Sequence, residues 1–426
     1  MLTRYKPAYV LRGAEISESG VVRRAYRLLV GIREQKYGCK VLLRSAILAI
    51  HILTHVRSRS LLVLLDALTR MSNRMTILST MLRPPSPKVL TQLPLEQGDL
   101  PRYNPAELHD YFTRIKLPLE YLNSPLLSDS DLARTKQHAL PFLQALARYH
   151  VCNIPFENLV LSYSTHKSIT LDPAVLHRKI VRCRRGGYCM ENNTFFATVL
   201  RSLGYEVRSV GGRVSRAMSP FPEVRHSQST TYDGWNHMLN HVLLEGEWYV
   251  VDVGMGAMGP NLPYPLRDGF ETTGVAPRRI RLQLRPIAES YAIHSPKPVL
   301  WCYDVCYDPA VDDPAQNVWV PAYCFTETEF LPQDYEVLSW FTSTHESSFF
   351  TRYVLCTKML MDEAQEHIIG DITLFKNVLR KTIGTNRSVV EDQKTEAERV
   401  RALDEVFGVE LTDEERKAIQ PDRRLG

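Results

Sequence analysis

The sequence predicts an α+β protein in which helices and strands are segregated along the chain. Three observations predict it. Helical periodicity dominates from about residue 104 to 181, and short β-rich runs separated by Gly and Pro turns take over from Tyr205 to about Arg285. Residues 300 to 385 then mix both signals. At the junction of the first two units one cysteine, Cys189, stands between a basic glycine-rich loop and the start of an amphipathic helix.

Composition sets the frame for these units. A chain of 426 residues is too long for one ordinary core and should hold two or three structural units. Its 44% hydrophobic and 23% charged content is that of a soluble globular protein. The formal charge of +5 conceals an asymmetry: residues 1 to 90 carry sixteen Lys or Arg against four Asp or Glu, so the remainder is net −7. The basic stretch, residues 1–83, is compatible with a mitochondrial transit peptide, a poorly ordered appendage or an over-extended gene model, with Met75 and Met81 as later starts. It lacks an organised motif, so neither nucleic acid nor a membrane is expected as a partner. Eight cysteines in so long a chain, with no secretory signal, do not resemble a disulfide scaffold and point to a reducing, intracellular compartment. No run of about 18 apolar residues marks a membrane-spanning helix.

The elements follow in order. Prolines 84, 85, 87, 94 and 101 punctuate a linker over 84–101. The helical unit is placed at 102–188. Asn104 as N-cap, Pro105 at the first helical position and Glu107 three residues past the cap predict a helix start, with Leu108, Tyr111, Phe112 and Ile115 as its apolar face. A second helix is expected over Leu132–Tyr149, broken or kinked at Pro141, and a third over Pro173–Val181. The cysteine helix and the β unit are placed at 189–290, a mixed α/β unit at 291–385 and a helical tail at 386–426.

Cys189 occupies a setting for a reactive thiol. In Arg185-Gly186-Gly187-Tyr188-Cys189 the glycines permit a tight turn, and Phe195, Phe196, Val199, Leu200 and Leu203 follow with helical spacing until Gly204 stops the helix. The positive end of a helix dipole favours a thiolate, and Arg184 and Arg185 are expected to add positive potential, with stabilisation of the loop as the alternative role for Arg185. Glu191 and Asn193 fit either tuning of the site or hydrogen bonding at the helix start.

A nucleophilic cysteine benefits from a base and from a third group that orients the base. The stretch from His237 to Asp252 contains both. Glu245-Gly246 is a two-residue turn signal between two apolar runs, which pairs Leu244 with Glu247 and hence Leu239 with Asp252. Residues 237, 239 and 241 then share the face of Asp252, and either His237 or His241 lies diagonally within reach of the carboxylate. The geometry does not choose between them. A zinc reading of His237-x-x-x-His241 fails, because Met238 stands where a metalloprotease motif needs glutamate and the segment reads as strand.

With these residues in place, the chain resembles the arylamine N-acetyltransferases. The resemblance rests on Arg185-Gly186-Gly187-Tyr188-Cys189 with Glu191 and Asn193, on Ile154-Pro155-Phe156-Glu157-Asn158-Leu159, and on Val251-Asp252-Val253-Gly254-Met255-Gly256. It extends over roughly 102–411 and keeps the family's order of blocks. It implies a helical bundle, a β-barrel and an α/β lid, with a Cys-His-Asp site between the first two on a cysteine-protease or transglutaminase-like core. It also selects His237 over His241, giving Cys189, His237 and Asp252 as the catalytic set. Coenzyme A contacts are implied at Gly234, Asn236 and Ser347, and amine-pocket contacts at Phe156 and Met255. Three departures stand out: Met255 replaces a frequent phenylalanine, Arg216–Tyr232 lengthens the Cys-to-His interval, and the long N-terminal extension has no counterpart.

The function implied is transfer of an acyl group, acetyl first, from an acyl-coenzyme A to the nitrogen of an arylamine or hydrazine, by ping-pong kinetics through a Cys189 thioester. No metal is expected. A thiol hydrolase of papain or transglutaminase type and a non-catalytic binding protein are the competing readings. A malonyl donor needs a cation near the acyl site, and the sequence alone does not place one. A cytoplasmic monomer or weak dimer is expected, with a mitochondrial location as the alternative if the basic extension acts as a transit peptide.

Overall fold

The computed structural model describes residues 100–228, 231–292, 295–310 and 312–426. The expected extension over 1–83 and nearly all of the linker lie outside these residues.

Helix α1, Pro105–Arg114, starts where its sequence signals place it. Asn104 Oδ1 accepts from the Ala106 and Glu107 N–H groups, and the Glu107 carboxylate accepts from Asn104 N–H, so both sides of a capping box are made. Helix α2, Lys136–Asn153, runs unbroken through Pro141, contrary to the expected break. Pro141 lies in the second turn, where it removes one backbone hydrogen bond, and the helix is held over its length by burial of Phe142, Leu143, Leu146 and Tyr149. The third expected helix is a short turn, Pro173–His177, continued by a π-helical turn, Arg178–Arg182.

Helix α3, Cys189–Ser202, begins at the cysteine itself and ends before Gly204, whose φ of +92° suits glycine. Its Phe195, Phe196, Val199 and Leu200 lock into the same core as Tyr111 and Phe142. After it come eight strands: β2 Glu206–Val214, β3 His237–Leu244, β4 Glu247–Val251, β5 Tyr264–Pro265, β6 Phe270–Thr273, β7 Arg279–Pro286, β8 Val299–Cys306 and β9 Val320–Glu329. They form one antiparallel sheet in the order β5-β4-β3-β2-β9-β8-β7-β6, curled into a nearly closed barrel. The β unit therefore does not end at 290. β7 and β8, on either side of that position, pair along their whole length.

The remaining sheet has a two-residue strand at its edge, Phe156–Glu157 (β1), followed in order by β10 Leu355–Met361, β11 Ile368–Phe375, β12 Val378–Ile383 and β13 Asn386–Asp392. Helix α4, Pro332–Thr344, links the barrel to this sheet. Helix α5, Glu396–Phe407, buries Leu403 and Phe407 against Leu374 and Leu379 of the sheet, and α6, Asp413–Ala418, follows. The tail expected to be helical from 386 thus begins with an edge strand. Pairing of β1 with β10 brings the Ile154–Leu159 block, far away in sequence, beside the last sheet.

Candidate functional site

Three elements deliver one side chain each. Cys189 is the first residue of α3, His237 the first of β3, and Asp252 follows directly on β4. The β3–β4 turn has φ of +50° at Glu245 and +79° at Gly246, the conformation that a two-residue hairpin favours, and Leu244 pairs with Glu247. Pairing continues to Asn240 and Val251 and stops there, one step short of Leu239 and Asp252. Freed from the ladder, Asp252 turns to His237, whose Nε2 lies 2.7 Å from Oδ2.

Cys189 is the other group that acts on His237, and with Nε2 committed to Asp252 the nitrogen left for sulfur is Nδ1. The three groups form one series, cysteine to imidazole to carboxylate, almost wholly shielded from water. Cys189 is 5% exposed, His237 1% and Asp252 3%. Burial alone pulls the His237 pKa down; the Asp252 carboxylate, aided by Cys189, reverses this and raises it to about 10. Burial pushes Asp252 the other way, but His237, Asn193 and the Gly254 N–H together hold its pKa below the usual carboxylate value. The arrangement suits a thiolate–imidazolium pair.

Asn193 has a larger part than helix-start hydrogen bonding. It lies one turn beyond Cys189 on the same helix face. Its Nδ2 donates to Asp252 Oδ1 at 3.0 Å and to the Met238 carbonyl at 2.6 Å, and its Oδ1 accepts from Val253 N–H at 3.2 Å. One amide thereby fastens the cysteine helix to the carboxylate and to both strands of the hairpin. Gly254 N–H closes the set by donating to Asp252 Oδ1 at 2.8 Å. A β-carbon at Gly254 would stand 2.7 Å from Cys189 Cα, so this backbone packs directly on the cysteine.

The loop before Cys189 is held by carboxylates. Glu157 Oε1 accepts from Gly186 N–H, and Glu191 accepts from Tyr188 N–H while pairing with Lys179 at 2.6 Å. Arg185 is buried between Glu157 and Glu415, with its Nε 3.6 Å from the first and Nη1 2.5 Å from the second. Its charge is paired within the loop scaffold, which is the loop-stabilising one of the two roles expected of it. Arg184 is exposed. The Tyr188 hydroxyl bonds Ser339 of α4, tying the loop to that helix.

The other expected positions are scattered around this centre. Phe156 packs in the apolar cluster that contains Cys189, Tyr188, Met190, Met238 and Tyr335. Met255 belongs instead to the rim of the barrel core. The Asn236 carbonyl accepts from the Cys189 thiol at 3.7 Å, while its side chain is spent internally on Val214 N–H and Asp233. Gly234 is exposed, with nothing within 4 Å of where a β-carbon would stand. Ser347 is exposed beside His345, 2.7 Å from its Nδ1. Sequence reasoning missed Tyr323, whose ring lies against His237, because no spacing signal relates β9 to the hairpin.

A helical core, a nearly closed barrel and a Cys-His-Asp series whose cysteine opens a helix define the class of cysteine-centred enzymes with a cysteine-protease-like fold. Residues 139–416 match the model of the N-acetyltransferase family, and the chain belongs to that family, which includes the arylamine N-acetyltransferases. It is 64% identical over 342 residues to the N-malonyltransferase FDB2 of Fusarium pseudograminearum, covering 80% of this chain and 98% of that protein. Identity is 60% over 350 residues to the N-malonyltransferase FDB2 of Gibberella moniliformis, covering 81% and 100%. The arylamine N-acetyltransferase of Mycobacterium tuberculosis is 31% identical over 283 residues, 64% of this chain and 84% of that protein. Among solved structures, the Mycobacterium marinum arylamine N-acetyltransferase in complex with CoA superposes with a TM-score of 0.56 at 26% identity, covering 74% of this chain and 98% of that one. The protein is an acyltransferase.

Proposed function

We propose that the protein moves a malonyl group from malonyl-coenzyme A to the nitrogen of an arylamine, through a thioester on Cys189. The mechanism is carried by the placement of His237 between Cys189 and Asp252. The choice of acyl group is supported by the two N-malonyltransferases that match this chain at 60% identity or more over nearly their full length. It replaces acetyl as the first expectation.

In the first half-reaction the Cys189 thiolate attacks the thioester carbonyl, the carbon–sulfur bond to coenzyme A breaks, and His237 gives its proton to the departing thiolate. The first-turn N–H groups of α3 favour negative charge at this end of the helix. In the second half-reaction the amine attacks the enzyme thioester, His237 takes the amine proton, and Cys189 leaves as thiolate. Asp252 keeps the imidazole in one tautomer and orientation throughout. A thioester retains acyl-transfer potential toward a weakly nucleophilic aromatic nitrogen. Gly234 leaves open space for the cofactor and Ser347 offers an exposed hydroxyl, whereas Asn236 acts through its backbone. Phe156 is the residue assigned to the amine side, with Met255 at the barrel rim. A cytoplasmic location is part of the proposal, to be read by cell fractionation.

Intact-mass measurement after incubation with equal amounts of malonyl- and acetyl-coenzyme A tests this. The expected adduct is a malonyl group, mapped to Cys189 and discharged by added arylamine. An acetyl adduct in its place overturns the donor, and an adduct that survives in Cys189→Ala overturns the nucleophile. A thiol hydrolase would form no acyl adduct from either donor.

A further inference from the structure

Behind His237 the barrel is filled by a column of aromatic rings. The Tyr323 ring lies 5.1 Å from the imidazole, Tyr303 stacks on Tyr323 at 4.7 Å, and Tyr264 stacks on Tyr303 at 6.0 Å. Tyr303 and Tyr323 are directly cross-strand partners on β8 and β9, so the stack is built into the sheet register. All three tyrosines are fully buried. All three hydroxyls lie in the field of Asp252.

We infer that Tyr323 is a positioning residue whose ring holds His237 as the imidazolium, with Tyr303 and Tyr264 fixing that ring from behind. A cation within about 6 Å of an aromatic centroid is attracted by the ring's negative face, most strongly where water is excluded. The groups facing His237 are Asp252 after β4, Cys189 on α3 and Tyr323 on β9. Two of them are acids that supply negative charge at the edges of the imidazole, and Tyr323 supplies a neutral π-surface. The inference rests on the proposed thiolate–imidazolium pair, because a neutral imidazole would gain little from the ring.

The test is the pH dependence of Cys189 alkylation by iodoacetamide, compared among wild type, Tyr323→Phe, Tyr323→Leu and Tyr323→Met. Losing the ring weakens the imidazolium and should move the alkylation profile to higher pH by about one pH unit in the Leu and Met variants. Tyr323→Phe keeps the ring and should stay near wild type. Tyr323→Met retains length and flexibility and is the variant to rely on if Tyr323→Leu fails to fold. A profile in both Leu and Met variants that matches wild type, with only a lower melting temperature, reduces Tyr323 to packing and overturns the inference. So does an equal shift in Tyr323→Phe. A wild-type profile that titrates as an isolated thiol, with no paired thiolate at neutral pH, overturns the proposed pair itself and the inference with it.

Discussion

His237 and His241 lie four residues apart on β3, point into the same barrel and are 1% and 0% exposed, yet their surroundings favour opposite charge states. Burial pulls both pKa values down. At His237 a carboxylate 2.7 Å away more than reverses that pull. At His241 the nearest charge is Arg208, on the cross-strand partner position, whose guanidinium stands 3.3 Å from Nδ1 and helps hold the pKa at about 3. The rest of its ring meets Phe325 and Trp248. Burial by itself therefore does not make a histidine a base. At His237 a carboxylate overturns the effect of burial, and at His241 Arg208 adds to it.

The largest effect separates the two residues directly. His237→Ala should lower kcat/KM by about 10² to 10⁴-fold, the usual contribution of positioned acid–base catalysis. His241→Phe, which fits between Trp248 and Phe325, should leave the rate close to wild type. Steady-state rates with malonyl-coenzyme A and an arylamine measure both. Comparable losses in the two variants would end the distinction.

A smaller effect tests whether Asp252 depends on its second support. Asn193→Ala removes the amide that donates to Asp252 Oδ1 and leaves the His237 and Gly254 contacts in place. A buried hydrogen bond to a charged group contributes about 1.5–3 kcal/mol, so kcat should fall roughly ten- to a hundredfold with KM little changed. Loss confined to KM would place Asn193 in substrate binding instead.

This comparison also marks how far the sequence reaches. The hairpin register, the face of Asp252 and the helix start at Cys189 are local properties, set by a turn dipeptide, by strand alternation and by spacing, and all are legible in the chain. The choice between the two histidines is not. It depends on where the β3–β4 ladder stops, at Asn240 and Val251, and beyond that end Asp252 bonds Asn193 and Gly254. Resemblance to a family selected His237 where geometry alone left two candidates. The same limit hid the partner of Arg185, Glu415, 230 residues away, and the role of Tyr323, which reaches His237 only once β9 pairs with β2.

The smallest effect is on stability, and there the two histidines leave opposite signatures. His237 has its pKa raised from 6.5 to about 10 in the folded state, so its contribution is complete below pH 6.5 and is lost as pH rises toward 10. His241 is lowered from 6.5 to about 3, so its contribution is complete above pH 6.5 and is lost as pH falls toward 3. His150, buried beside Tyr111 with its pKa also held at about 3 by burial and then by Arg114, adds to the acid side in the same sense. Each such group contributes at most about 1.4 kcal/mol per pH unit to the slope of stability within its window. Urea midpoints between pH 7 and pH 4 should therefore fall with acid in the wild type, and less steeply in His241→Phe, which has no buried imidazole to protonate at that position. His150 keeps the slope from vanishing. An unchanged slope in His241→Phe would mean that the imidazole accepts its proton in the folded barrel at no cost, and the Arg208 contact would then not be what distinguishes the two ends of β3.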